Sequence, residues 1–265
     1  MEEGVEMAEP LKNYYSRDSL KPIVEDIARV YPPFAVEGFL DAVVSEPWDD
    51  LELKARIGRI SETLRAFLPE DYPSAIAVID QVVGNNGTWL DGFSFFFPTF
   101  VEKFGVSEEH WDVSVGALER YTPYASAEFA VRPFIVLDQT RMMAQMLAWT
   151  EHENECVRRL ASEGCRPLLP WAPVLASFKK DPSPILPILE KLKADPSSHV
   201  RTSVANISEV NLAAGDKRYY ERRFSFADLS TRKHYPGVHS VTLVINGVER
   251  ETVSFELVGP GDCVR

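Results

Sequence analysis

Between Glu155 and Trp171 the sequence reads ECVRRLASEGCRPLLPW, which places three arginines, two glutamates and a tryptophan within seventeen residues. Arginine forks grip phosphate, carboxylates oppose positive charge, and an aromatic face accepts a cation. Together these types suit a surface that holds a phosphate and a cationic base. Gly164, Pro167 and Pro170 stop the stretch from running on as helix, so Glu163 falls at a helix end and Trp171 in the loop beyond. An acid at a helix C-terminus opposes the dipole, so Glu163 needs another reason to be there. Glu128, before Val131-Arg132, falls where a first-turn acid is favoured by the dipole, so local helix chemistry explains it as readily as catalysis does. A tryptophan between prolines can equally be packed or face a cation.

The basic set around these acids is Arg132, Arg158, Arg159, Arg166, Lys179, Lys180 and Arg201. Rows of such side chains on one face give phosphate contacts and a salt-dependent affinity. Arg158 and Arg201 also fit a ladder in which each arginine bonds an acid of the neighbouring repeat. Arg159, Arg166 and the lysine pair are the better candidates for DNA.

Amphipathic helices must position these residues. Apolar residues at steps of three and four mark a helix over 51–68, through Leu53, Ile57, Ile60, Leu64 and Leu68. Segments 19–31 and 34–45 read as a helix pair parted by Pro32-Pro33, and 72–84 as a helix ending at Gly84. A further helix is expected over 107–122, with Ser107 as its N-cap. Asn154–Ala161 resembles Ser198–Ala205, and Val157 to Val200 is 43 residues, with a fainter copy at 127–132. A polar cap, Val-Arg and small apolar residues at that period predict HEAT-type helix pairs stacked as a solenoid.

The last fifty residues change character. Segments 239–246 and 252–257 around Asn246-Gly247 read as a β-hairpin, and RRFSF (222–226) as a third strand. The expected fold class is mainly α, a HEAT-like helical solenoid over 11–212 with a short C-terminal β segment over 219–265.

Composition narrows the function. The net charge of −12 argues against a general nucleic-acid binder. The first 120 residues carry 23 acidic and 10 basic side chains and the remainder 17 and 18, so any DNA contact belongs to the second half. No run of 18 apolar residues exists, and the acidic N-terminus lacks a signal-peptide core. Cys156, Cys165 and Cys263 form no CxxC pair, and the five histidines lack metal-ligand spacing. A reduced cytoplasmic protein without metal or cofactor is expected.

ASAEFAVRPF (125–134), NECVRRLASEGCRPLLPWAP (154–173) and DPSSHVRTSVAN (195–206) resemble the AlkC family of DNA alkylation repair glycosylases, relatives of AlkD. LELKARIGRISETLRAFLPEDYPSAIAVI (51–79) and FSFFFPTFVEKFG (93–105) share the likeness, and 226–249 resembles the immunoglobulin-like module of some members. The resemblance implies a HEAT-like enzyme, acting as a monomer on alkylated double-stranded DNA, that removes N3-methylated adenine without flipping it into a deep pocket. It implies catalytic roles for Glu128, Glu163 and Trp171, with Glu209 near the family's third acid across a one-residue gap. Asn206 is followed by ISEVNLAAGDKRYYERRF where the family carries further helices, so the chain is expected to be shortened internally. The alternatives are a catalytically impaired DNA-binding scaffold or a HEAT-type protein-interaction module.

Overall fold

The computed structural model describes residues 10–85, 93–205, 237–245 and 248–257. The chain divides into two compact units, Met1–Glu209 and Val210–Arg265. Among the described residues, the first unit is a run of α-helices. In order they are α1 (Arg17–Val30), α2 (Val36–Val44), α3 (Leu53–Phe67), α4 (Tyr72–Gly84), α5 (Phe96–Phe104) and α6 (Trp111–Tyr121). They continue as α7 (Arg132–Leu137), α8 (Gln139–Trp149), α9 (Glu155–Gly164), α10 (Ala176–Lys180), α11 (Leu186–Leu192) and α12 (Ser198–Ala205).

Local chemistry sets the starts. Ser16 caps α1 reciprocally: its Oγ accepts from Ser19 N at 3.2 Å, and its own N–H donates to Ser19 Oγ at 2.9 Å. Asp71 caps α4, Asp138 caps α8 and Asn154 caps α9. The helix expected from Ser107 begins later, at Trp111. Ser107 instead accepts from His110 N at 3.1 Å, closing a turn ahead of the helix. The copy expected at 127–132 is also a turn, and α7 begins only at Arg132.

Some helices pack on their neighbours in sequence, α1 on α2, α2 on α3, α5 on α6, α7 on α8 and α8 on α9, and others on more distant ones, α3 on α5, α4 on α1 and α6, and α9 on α12. Their inward faces form one apolar core from Tyr15 to Val204. Within it Phe96, Phe97, Phe100 and Val101 of α5 and Ile60 and Leu64 of α3 are buried. Each such Leu, Ile or Phe contributes about 1.5–3 kcal/mol by leaving water.

The 43-residue likeness is structural as well as textual. Arg158 Nη1 donates to the carbonyls of His152 and Glu153, at 2.9 and 2.8 Å. Arg201 Nη1 donates to Asp195 O and Pro196 O, the carbonyls at the same offsets. Each arginine therefore ties down the loop that leads into its own helix. Arg158 also forks onto Asp195, Nε to Oδ2 at 2.7 Å and Nη2 to Oδ1 at 3.1 Å, linking the copies. Behind them Ser162 and Ser203 share a buried hydrogen bond of 2.8 Å.

In the second unit, β1 (Gly237–Ile245) pairs antiparallel with β2 (Val248–Leu257). Gly237 lies opposite Leu257 and Ile245 opposite Val248, with a register shift between Leu243 and Val244. The hairpin expectation holds for these strands. The Asn246-Gly247 turn and the RRFSF strand lie outside the described residues.

The Arg158 fork, with support from Ser197 N, holds the Asp195 carboxyl below the usual carboxylate range. A depressed folded pKa stabilises the fold above about pH 4, the unfolded value, and the benefit is lost as pH falls through the folded one. Asp195→Asn is therefore expected to cost about 2–3 kcal/mol at pH 7. Urea unfolding of both proteins at pH 7 and at about pH 3 checks this, because the gap should shrink in acid. Coincident midpoints at pH 7 would remove the pair from the account.

Candidate active site

The end of α9 is built by a close approach. A Cβ on Gly164 would lie 2.5 Å from Val131 Cγ2, so only glycine lets the helix end meet the turn before α7. That approach places Gly164 O 3.1 Å from Arg132 Nη1. The same nitrogen donates to Arg166 O at 2.8 Å, and Arg132 Nε donates to Pro173 O at 3.1 Å. Arg132 is 2% exposed, and burial, before any neighbouring charge, lowers its pKa. Its expected phosphate contact is corrected by this placement, because a guanidinium that holds both ends of a loop inside the protein is not presented to DNA.

Two carboxylates meet on one arginine. Glu163, with its side chain 7% exposed, accepts from Arg166 Nη1 at 2.6 Å and lies 3.7 Å from Arg159 Nη2. Glu128 Oε2 accepts from Ser126 Oγ at 2.7 Å and from Arg159 Nη1 at 3.4 Å. Arg159 thus bridges the two acids, and the two arginines offset an anion that opposes the α9 dipole. Glu128 lies in the turn ahead of α7 and not in its first turn, so the dipole does not account for it. Arg159 also lines a small pocket of about 210 Å³ with Thr122, Tyr124, Ser126, Cys156 and His199.

Trp171 stands outside the core. It is 71% exposed, with φ of 66°, a left-handed conformation that is uncommon for a residue with a side chain. Trp171 borders a groove of about 630 Å³ lined by Tyr15, Leu53, Phe93, Phe95, Glu102 and Phe129 among others. Ser126, the partner of Glu128, lines the groove too. Sequence reading missed Glu102. Burial, opposed by Lys54 and Lys103, raises the pKa of its carboxyl. The signal was an acid inside FFPTFVEKF, a helix whose other residues are mostly apolar.

The remaining basic residues separate into two groups. Arg158 and Arg201 are engaged with carbonyls of the loops before their own helices, and Arg158 with Asp195 as well, while Arg201 stays exposed. Lys179 and Lys180 are exposed at the end of α10. Glu209 lies outside the described residues, as does the junction where shortening was expected. Burial pushes the Cys165 thiol up to about 12, which removes it as a nucleophile. Among the described residues, no group of three His, Cys, Asp or Glu could hold a metal ion, and no helix is long and apolar enough to cross a membrane.

Fold and site together define a mainly helical protein with paired carboxylates on a shared arginine, followed by a small β segment. Residues 195–259 match the family model described as "Uncharacterised protein YhaZ, C-terminal Ig-like domain". The chain is 45% identical over 197 residues to the uncharacterized protein YhaZ of Bacillus subtilis (strain 168), an alignment spanning 74% of this chain and 54% of that protein. The chain thus spans about half the length of this curated relative. Among solved structures it is similar to the Pseudomonas fluorescens alkylpurine DNA glycosylase AlkC bound to DNA containing an abasic site analog. That likeness has a TM-score of 0.69 and 27% identity, and covers 95% of this chain and 100% of that one. In fold and in sequence the chain is thus similar to AlkC.

Arg132→Met is expected to cost about 3 kcal/mol, since the buried Gly164 carbonyl and two part-buried carbonyls lose a charged partner. It should also make the 164–173 loop the first point of chymotryptic cleavage, at Leu168 or Trp171. Unchanged urea midpoints with an unchanged cleavage map would show that the loop does not depend on Arg132.

Proposed function

We propose that the chain is a DNA glycosylase of alkylation base-excision repair that hydrolyses the N-glycosidic bond of cationic N3-methylated adenine in double-stranded DNA. The observation that supports this reading most is the pair Glu128 and Glu163 on Arg159, close to the groove that Trp171 borders. The likeness to a DNA-bound alkylpurine DNA glycosylase supports it independently.

The chemistry asks little of the protein. N3-methylation gives adenine a positive charge, so the C1′–N9 bond breaks with its electron pair leaving on the purine. Positive charge then moves to the sugar as an oxocarbenium-like species. The carboxylates of Glu128 and Glu163 oppose that charge, which is worth about 3 kcal/mol for one preorganised contact. Water adds to C1′, and its proton passes to Glu128 or to solvent. Trp171 faces the cationic base or sugar with its ring. Arg159, Arg166, Lys179 and Lys180 supply phosphate contacts. In this reading the base is recognised at the duplex surface, unlike enzymes that extrude it into a deep pocket.

A second reading is a DNA-binding scaffold that has lost turnover. It is favoured by the charge of −12 and by the engagement of Arg132, Arg158 and Arg201 within the protein.

Single-turnover release of labelled 3-methyladenine from methylated duplex DNA separates the two. Glu163→Gln is expected to slow release at least about tenfold while DNA affinity changes less than about twofold. Equal rates would remove Glu163 from the chemistry. Salt-sensitive DNA binding with no release from the wild type would favour the scaffold.

A further inference from the structure

Lys54 is the second residue of α3, where a cation opposes the helix dipole. It is therefore placed against its own local preference, as Glu163 is at the other kind of helix end. Its tertiary contacts supply the compensation. Lys54 Nζ donates to the carbonyl of Trp171 and lies 4.6 Å from the centroid of the Phe129 ring. It also acts on the carboxyl of Glu102 in the same groove.

These contacts join segments far apart in sequence. Phe129 follows Glu128 in the turn before α7, and Trp171 lies within the loop that Arg132 holds. The left-handed backbone at Trp171 is uncommon for a residue with a side chain. A local turn contributes to it, since Ala172 N–H closes on Leu169 O at 3.1 Å with Pro170 between, while Trp171 as a whole is 71% exposed. The Lys54 hydrogen bond falls on that residue's own carbonyl.

We propose that Lys54 is a positioning residue that locks Trp171 and the Glu128 turn in a fixed relation, so that ring and carboxylate act on one nucleotide. It works through those two residues and not by touching DNA. The kinetic consequence rests on the glycosylase reading above; the spectroscopic one does not.

The test is Lys54→Met, which keeps the stem and removes the charge and donor, beside Lys54→Gln and Lys54→Arg. Each is made with and without Trp171→Phe, so that difference emission isolates Trp171 from the other tryptophans. Equal thermal midpoints establish that the variants fold. Lys54→Met and Lys54→Gln are expected to lower the anisotropy of Trp171 emission, and Lys54→Arg to restore it. Single-turnover release should fall at least about tenfold with DNA affinity within about twofold, and Lys54→Met should add nothing to Trp171→Phe.

Unchanged Trp171 anisotropy would overturn the proposal, whatever the rate does. So would a rate loss that follows weaker DNA affinity and persists undiminished on the Trp171→Phe background, because Lys54 would then be a phosphate contact. Absence of release from the wild type would contradict the glycosylase reading alone, and the anisotropy would still decide the role of Lys54.

Discussion

A buried guanidinium organises the site. Arg132 spends its donors on Gly164 O, Arg166 O and Pro173 O, so the loop after α9 leaves and returns to one side chain. Of these, Gly164 O would otherwise be buried without a strong partner, which is expensive. Everything proposed for the chemistry hangs from this bracket. At one end of it Glu163 closes α9, and along it Trp171 is turned outward. The bracket in turn requires Gly164, since a side chain there would collide with Val131.

Charge within the site is arranged against local helix preference and then compensated at long range. Glu163 opposes the dipole of α9 and is answered by Arg159 and Arg166. Lys54 opposes the dipole of α3 and is answered by Trp171 O and the Phe129 ring. By contrast, Arg158 and Arg201 satisfy local carbonyls and the neighbouring copy. The first kind of charge lies in the candidate site, and the second kind ties down loops, with Arg158 linking the two copies. That division also shows why an arginine count along the sequence overstates the basic surface.

Periodic features were legible. The 3.6-residue spacing gave α1, α2, α3 and α4 close to their observed limits, and alternation gave β1 and β2. The 43-residue likeness anticipated the equivalence of Arg158 and Arg201, whose capping bonds share the same offsets. Ser107 misled because an N-cap residue and a turn-closing residue look identical until the following turn is placed. Arg132 misled because Val-Arg reads alike whether its target is a phosphate or a carbonyl folded back from forty residues away. Glu102 and Lys54 went unseen because their groove is assembled from segments scattered between Leu11 and Trp171. Side-chain identity carries the chemistry, but only tertiary placement says where it is spent.

The central claim is that Glu128 and Glu163 stabilise positive charge on the sugar. Affinity for duplex DNA carrying a cationic pyrrolidine abasic analogue, compared with the neutral tetrahydrofuran analogue, tests it most directly, because a transition-state mimic binds tighter to a site built for that charge. The wild type is expected to prefer the cationic analogue by at least about tenfold, and Glu163→Gln to lose most of that preference. Equal affinity of the wild type for the two analogues would contradict the account.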